Sequence, residues 1–191
     1  MSPILGARGG LSASAYGFTS AVAPAVGDYE SIATASGSGV SQIVFSSIPQ
    51  TYKHLQVRAI QRSGRSAVGD YGNIFLNGDT TLSNYTGHRM RGDGSSATAA
   101  GATSDYSYGD YPAGTTTANV FGGFIFDLLD YTNTNKNKTQ RILYGYDANG
   151  SGQINFASKL WLSTAAVTSL TFDNRGTNWN ANTTFALYGV K

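Results

Sequence analysis

Residues that could support acid–base or metal chemistry are few and far apart in this sequence. The two histidines, His54 and His88, lie 34 positions apart, and the chain contains no cysteine. A metal site or catalytic triad built on histidine usually has further ligands at short spacing, as in HExxH, and neither histidine has such neighbours. We therefore interpret His54 as a half-buried strand residue and His88 as a residue at a loop edge. The lack of cysteine excludes disulfides, cysteine–zinc sites and thiol catalysis.

Two aspartates near each other, Asp127 and Asp130, form the one arrangement that suggests glycan hydrolysis. A glycosidase uses two carboxylates that flank the scissile bond in one groove. These two residues instead stand at the end of the most apolar stretch of the chain, where aspartates commonly stabilise turns. The sequence therefore favours a turn here. It predicts that the protein is not an enzyme, with no catalytic residue and no cofactor.

A short polar segment matches the first half of a calcium-binding loop. Oxygen-bearing side chains occupy positions 1, 3 and 5 of the segment, and Gly152 occupies position 6; the three ligand candidates are Asp147, Asn149 and Ser151. The twelfth position, however, holds Ser158 where calcium loops have a bidentate glutamate. A Gly/Asn hairpin turn is the stronger interpretation, and a calcium site is the weaker alternative.

Four aromatic residues lie in polar segments where the sequence shows no need for a core. Three tyrosines fall within six residues, and a tryptophan lies in another polar turn: Tyr106, Tyr108, Tyr111 and Trp179. Exposed tyrosines among Ser, Gly and Asn make adaptable contact surfaces, so these residues could contact a receptor or stack on a glycan. Alternatively, they pack against the flank of their own domain or against a neighbouring subunit.

The composition favours β-structure over helices. The chain has 191 residues, of which 24 are glycine and 12 tyrosine, and its only glutamate is Glu30. Charged residues make up 13%, whereas ~25% is usual, so the solvent face of helices would lack its normal residues. The net charge of +2 is spread without clusters, which gives nucleic-acid binding no support. No segment approaches the ~20 apolar residues of a membrane helix, so we expect no membrane partner.

Alternation of apolar and polar residues begins at residue 40 and predicts a β-sandwich. The polar segment 92–117 lacks this alternation and is predicted to be one long loop. Roughly eight strands separated by polar turns are typical of an antiparallel two-sheet sandwich, most plausibly a jelly roll. The stretches predicted as strands are 40–48, 55–60, 73–77, 88–91, 119–131, 139–146, 153–162, 167–172 and 184–190.

The first 39 residues are predicted to form an extended arm, which leaves residues 40–191 as the sandwich domain. Glycine and proline interrupt this segment, yet it is too apolar for a solvated linker. No signal peptide is recognisable, so we expect the protein to reach its destination by assembly. An arm of this kind gains order by lying against a neighbour, and the candidate anchoring residues are Leu5, Arg8, Leu11, Tyr16 and Phe18.

Three stretches resemble structural proteins of tailed-bacteriophage virions. The first is the Gly/Ala-rich start, MSPILGARGGLSASAYGF, which is similar to the short arm that opens many tail and appendage proteins. The second, IPQTYKHLQVR at 48–58 with Asn77-Gly78-Asp79 and Asn84-Tyr85, is similar to strands of small fibre or decoration domains. The third is the closing stretch TTFALYGVK at 183–191.

This resemblance implies a virion component that is oligomeric, often a homotrimer, and assembled in the host cytoplasm. We therefore expect a non-enzymatic structural protein, held by its arm to neighbouring virion proteins, that decorates or cements the capsid or forms a tail fibre or appendage subunit. The alternative is a carbohydrate-binding module that recognises a host surface glycan through the aromatic residues described above.

Overall fold

The structure, a computed structural model, describes residues 27–191 and contains twelve β-strands and a short 3-10 turn at Leu82–Asn84. No helix in this part of the chain has the length and apolar character needed to cross a membrane. The strands are β1 (Tyr29–Ser36), β2 (Gln42–Phe45), β3 (His54–Gln61), β4 (Gly69–Leu76), β5 (Tyr85–Gly92), β6 (Ala97–Ala102), β7 (Ser107–Pro112), β8 (Gly122–Leu129), β9 (Lys138–Asp147), β10 (Gly152–Trp161), β11 (Leu170–Asp173) and β12 (Thr184–Val190).

The strands form two antiparallel sheets, which confirms the predicted all-β sandwich. The larger sheet has the order β1-β12-β3-β8-β9-β10-β5-β6, and the smaller has the order β2-β11-β4-β7. When the eight strands of a jelly roll are numbered along the chain, they run 1-8-3-6 in one sheet and 2-7-4-5 in the other. Strands β1-β12-β3-β8 and β2-β11-β4-β7 follow this order. The protein is therefore a jelly roll whose larger sheet is extended by two inserted pairs, β5–β6 and β9–β10.

The core lies between the two sheets and is rich in aromatic rings. Alternate residues of β8 point inward, so Phe124, Phe126 and Leu128 are buried. They meet Phe172 of the smaller sheet, whose ring contacts those of Phe124 and Phe126 edge-on at 5.7 and 5.8 Å between centroids. Phe185 of β12 adds a further ring 5.2 Å from Phe172. These contacts join distant parts of the chain into one core.

The prediction of a single loop over residues 92–117 is wrong, because this segment contains all of β6 and β7. Strand β6 has the sequence ATAAGA, which is exposed throughout and has no apolar alternation; its pairing to β5 is made by the backbone. Strand β7 carries a bulge opposite Asp70 and Tyr71. At this bulge Gly109 has a φ of +152°, and a Cβ there would lie 2.4 Å from Tyr71.

The predicted boundary between arm and sandwich at residue 39 is also wrong. Strand β1 is the edge strand of the larger sheet and pairs with β12 along its length. Its side chains Ile32, Ala33 and Ala35 pack against the core. The sandwich therefore includes residues from about Tyr29 onward. The five candidate anchoring residues between Leu5 and Phe18 lie outside the described residues.

Candidate interaction surface and polar cleft

The structure buries three of the four aromatic residues that the sequence offered as exposed contacts. Tyr108, Tyr111 and Trp179 are each no more than 2% exposed. The ring of Tyr108 lies 4.8 Å from that of Phe124, and Tyr111 packs 5.2 Å from Trp179. The prediction that these three residues make exposed contacts is therefore wrong, because their side chains are part of the core. The alternative interpretation, packing within their own domain, describes what the structure shows.

Tyr106, the fourth of these residues, is half-buried. Its ring makes edge contacts with Phe75 and Tyr85, at 5.0 and 5.7 Å between centroids. It therefore closes the edge of the core between the smaller sheet and the inserted strands.

The hydroxyl of Tyr111 belongs to a buried hydrogen-bond network, and the role of this network is structural. Tyr111 donates to Oδ1 of Asn174 at 2.8 Å, and Asn174 donates to Oγ of Ser63 at 3.1 Å. Ser63 in turn donates to Asp70 at 2.7 Å, and Arg65 pairs with the same carboxylate at 3.0 Å. Burial raises the pKa of Tyr111 well above its ordinary value, so the phenol stays a donor. The network joins β7, β4 and the residue that follows β11 to the β3–β4 connection.

The segment considered as a calcium loop is the hairpin turn between β9 and β10. Oδ1 of Asp147 accepts hydrogen bonds from the backbone N–H groups of Asn149 and Gly150, at 2.7 and 3.1 Å. Asn149 has a φ of +65°, as its place in such a turn requires. Ser151 accepts from the backbone of Ala148 through its carbonyl. Among residues 27–191 no cluster of three or more His, Asp or Glu residues is arranged to hold a metal ion.

The structure does not bring the histidines together. His54 lies on β3 and His88 on β5, with three strands between them, which separates them by about 19 Å at the usual strand spacing. His54 accepts a hydrogen bond from the backbone of Asp130 at 2.9 Å. His88 is exposed on β5 next to Gly101 of β6.

The two aspartates of the carboxylate hypothesis serve local contacts. Asp130 lies in the turn after β8, where it pairs with Lys136 and lies near His54. The ammonium of Lys136 holds the pKa of Asp130 below its ordinary value, although burial acts in the opposite direction. Asp127 lies on β8 itself and accepts a hydrogen bond from Gln56 at 2.7 Å.

The outer face of the larger sheet carries a continuous row of apolar side chains, which we call the apolar row. Its members lie in cross-strand register on four neighbouring strands, β5, β10, β9 and β8, and each is between 37% and 65% exposed. They are Met90, Phe156, Leu143 and Ile125. A contiguous apolar patch of this kind is uncommon on a monomeric protein and marks contact surfaces.

A second row on the same face combines apolar side chains with glycine. Ile60 of β3 and Ile154 of β10 are about half exposed, and between them stand Gly123 of β8 and Gly145 of β9, in register. Because glycine has no side chain, this pair leaves a trough between the two isoleucines. The trough opens into a groove of about 590 Å³ that the β9–β10 turn closes at one end.

A third row, on the other side of the apolar row, is polar. Asp127 of β8 and Arg141 of β9 stand directly beside each other in register. Arg141 forms no ion pair with any residue in the described range. At the end of the apolar row, Arg58 lies over the rings of Tyr29 and Tyr188, at 5.5 and 5.6 Å from their centroids.

A polar cleft lies on the inner side of the larger sheet, where β5 and β6 extend beyond the edge strand β7 of the smaller sheet. It has a volume of about 350 Å³. Arg89 of β5 reaches across it to Asp110 of β7 at 3.5 Å. At its floor the buried Lys159 pairs with Asp105 at 2.6 Å. The cleft therefore holds two opposite-charge pairs side by side.

Burial and charge act in opposite directions on the pair at the floor of the cleft. Burial lowers the pKa of Lys159, in spite of the carboxylate beside it. Burial would raise the pKa of Asp105, but the ammonium of Lys159 and two hydrogen bonds from Ser107 hold that pKa below its ordinary value. The lowered pKa of Asp105 keeps this carboxyl ionised near neutral pH.

Unpaired polar atoms lie next to the cleft. Asn155 of β10 is 1% exposed, and neither its side-chain oxygen nor its nitrogen has a partner among the described residues. It stands in register between Tyr144, which lines the cleft, and Arg91, whose Nε is also unpartnered. Buried polar groups normally find a partner in protein, water or a ligand. Hydrogen-bonding capacity is therefore left unused next to the cleft.

Comparisons with family models, with curated proteins and with solved structures found no match. The resemblance to virion proteins thus depends on the sequence stretches quoted above.

The apolar outer face is not among the sequence-based predictions, although the sequence contains a signal for it. Phe124-Ile125-Phe126 and Ile142-Leu143-Tyr144 are unbroken apolar triplets within strands. Because successive side chains in a strand point to opposite faces, a triplet must place an apolar side chain on the face away from the core. Two such triplets on neighbouring strands predict an apolar patch there.

Proposed function

We propose that this chain is a non-enzymatic structural protein of a tailed-bacteriophage virion, as a capsid decoration or cement protein or as a tail fibre or appendage subunit. The observation that carries the proposal is a jelly roll with an apolar row exposed on its larger sheet. Jelly rolls recur in viral capsid and lectin domains, an analogy at the level of the fold. An apolar patch that the fold does not itself cover favours a protein that works in contact with neighbours.

The chain N-terminal to the sandwich serves as the anchor in this proposal. The described part of the chain begins just before the edge strand β1, at the rim of the larger sheet, and 26 residues precede it in the sequence. A chain of this length can span up to about 85 Å, far enough to reach a neighbouring subunit. Its sequence offers apolar side chains at Leu5, Leu11, Tyr16 and Phe18 for such a contact. Its partners would be other copies of the chain and neighbouring virion proteins, joined during assembly in the host cytoplasm.

Deletion of residues 1–26 tests the anchor role. The deletion must stop before β1, because removal of residues 1–39 would also strip an edge strand from the sheet. We expect the shortened protein to melt as cooperatively as the full chain, since the described core lies entirely beyond residue 26. In cells that assemble the particle, the shortened protein should be missing from purified virions.

A matched variant separates loss of length from loss of contacts. Full-length protein with serine at Leu5, Leu11, Tyr16 and Phe18 should also fail to enter the particle. Incorporation of both variants at the level of the full chain would contradict the anchor role. Absence of the unaltered chain from the particle would contradict the proposed function as a whole.

Carbohydrate recognition is the second candidate, and the polar cleft is the observation that favours it. Glycan sites combine an aromatic surface with several hydrogen-bonding groups, and the cleft is lined by Tyr144, Arg89 and Lys159, with the unpartnered Asn155 in register beside Tyr144. On a glycan array we expect binding by the unaltered protein to fall at least about tenfold in Arg89→Ala. Lys53→Ala, which removes a positive charge from an exposed residue just before β3, away from the cleft and from the outer face, should bind normally. Equal binding by both variants, or no glycan bound, would contradict this candidate.

A further inference from the structure

We propose that the outer face of the larger sheet is the contact between two copies of this chain, related by a two-fold axis that runs parallel to the strands between β8 and β9. This contact does not depend on the place of the protein in a particle. It concerns the apolar row and the two rows beside it, which face away from the core.

The size of the face fits a stable contact. Six central strands and four outward rows cover about 29 Å by about 27 Å, or about 800 Å², at the usual strand and residue spacings. The fourth row lies beside the polar row and consists of half-buried residues in register, Thr86, Leu160, Thr139 and Leu129. Each partner in a standard protein interface contributes about the same area. Six exposed large apolar side chains lie within it: Ile60, Met90, Ile125, Leu143, Ile154 and Phe156.

The position of the axis follows from the strand order. Four strands lie on each side of the boundary between β8 and β9. A two-fold axis along this boundary places β8 of one copy over β9 of the other, and β3 over β10. The whole face is then covered, with no half of it left exposed. Because both sheets are twisted, facing residues correspond best near the axis.

The two-fold rotation places each row over the same row of the other copy, and the facing side chains in each row are complementary. Because Asp127 and Arg141 stand in register on the two central strands, Asp127 of each copy faces Arg141 of the other. In the apolar row Ile125 faces Leu143 for the same reason. The match therefore includes two opposite-charge contacts and two apolar contacts directly beside the axis.

The next strands outward continue the match. Arg58 of β3 faces the ring of Phe156 on β10, an arrangement that favours a cation–π contact. In the glycine-containing row, Ile60 of β3 faces Ile154 of β10. Each apolar or charged side chain thus meets a group of compatible chemistry.

The other in-plane axis, perpendicular to the strands, gives a poor match. It would superpose the polar row of one copy on the glycine-containing row of the other, so that Asp127 would face Gly123 and Arg141 would face Gly145. Both charges would be covered without a partner on the other copy, which is costly. Charge complementarity therefore selects the axis parallel to the strands.

Single charge reversals followed by mixing test the contact directly. Asp127→Arg places arginine opposite arginine at both charge contacts, and Arg141→Asp places aspartate opposite aspartate. Each variant alone should sediment as a monomer at concentrations where the unaltered full chain is a dimer, with affinity weakened at least about 100-fold. An equimolar mixture should form a heterodimer. In it the arginine introduced by the first variant faces the aspartate introduced by the second, and the other charge contact keeps its original pair.

Mixing distinguishes this contact from effects within one chain. Asp127 and Arg141 are also neighbours in the same sheet, so each reversal should lower the melting temperature slightly, and mixing cannot restore that loss. If a charge-reversal variant does not fold, Ile125→Asp mixed with Leu143→Lys applies the same test to the apolar contact. Recovery of the dimer only in the mixture would support the proposal.

Several results would overturn the proposal. These are an unaltered chain that stays monomeric, single variants that still dimerise, or a mixture that stays monomeric although both variants fold. A trimer that persists in the charge-reversal variants would place self-association elsewhere. Dimers that are lost on deletion of residues 1–26 but not on charge reversal would show that this segment, and not the outer face, makes the dimer.

Discussion

Asp79 provides a stability prediction that can be worked out from the structure. It lies in the turn after β4, and its carboxylate accepts hydrogen bonds from the indole of Trp161 at 2.7 Å, the amide of Asn84 at 2.8 Å and the backbone of Thr81 at 2.9 Å. Partial burial would raise its pKa, but these three donors lower the pKa to about 2 from the usual 3.8. The carboxylate thus ties the inserted strand β10 to the jelly roll.

The sign of the pH effect follows from the lowered pKa. A carboxyl group whose pKa is lower in the folded chain than in the unfolded chain stabilises the folded chain above pH about 4. This contribution to the free energy of unfolding is lost as the pH falls through about 2. The difference between 3.8 and about 2 corresponds to at most about 2.5 kcal/mol. Because the side chain is partly exposed, we expect the ionised carboxylate to contribute about 1 to 2 kcal/mol to the free energy of unfolding.

Urea unfolding, followed by tryptophan fluorescence, measures this contribution in Asp79→Asn. Near pH 6 the variant should have a lower free energy of unfolding than the unaltered protein by about 2 kcal/mol. At pH 2.5 this difference should narrow by about 1 kcal/mol, because the carboxylate of the unaltered protein is then partly protonated. Asp28→Asn is the matched control, because this exposed side chain accepts no hydrogen bond among the described residues; near pH 6 it should unfold with the same free energy as the unaltered protein.

A constant difference between the two proteins from pH 6 to 2.5 would refute this reasoning. The three hydrogen bonds would then stabilise the protonated and ionised carboxyl equally. A difference that widens at low pH would show that burial of Asp79 outweighs its donors.

Two buried side chains outside the proposed contact should be needed for stability. The guanidinium of Arg62 donates to four backbone carbonyls between Gly114 and Val120, so Arg62→Ala should lower the free energy of unfolding by about 3 kcal/mol, and Arg62→Lys by less. Chemical denaturation that shows no change in Arg62→Ala would contradict the bonded role of this residue. Tyr111→Ala should cost about 3 to 5 kcal/mol by the same measurement, and Tyr111→Phe about 1 kcal/mol. A Tyr111→Ala variant as stable as the unaltered protein would contradict the buried position of this side chain.

Strands with strong alternation were predictable from the sequence, whereas strands held by backbone pairing were not. In β10 the buried Ala157, Lys159 and Trp161 alternate with more exposed residues, and the prediction of 153–162 is close to the observed strand. Strand β6 consists of small residues on both faces, so no local pattern distinguishes it from a loop. Strand β1 has a similarly weak pattern, and only its pairing with β12 makes it part of the sheet.

The candidate contact residues show a second limit of sequence reasoning. The tyrosines at 108 and 111 lie in a segment rich in Gly, Asp and Ser, which is typical of exposed loops. Their burial results from contacts with Phe124, Trp179 and Asn174, which are between 16 and 68 positions away. The identity of those partners depends on strand order, and the local sequence does not contain it.

The sequence by itself determined the all-β class, most of the strands and the turn after β9, because alternation and turn residues act over a few neighbouring positions. The tertiary structure decided which aromatic residues are core and which apolar side chains face outward. It also decided that Asp127 and Arg141 stand side by side at the centre of the larger sheet. These properties depend on pairing between distant segments, since a side chain is buried or exposed only with respect to the strands that the fold places around it.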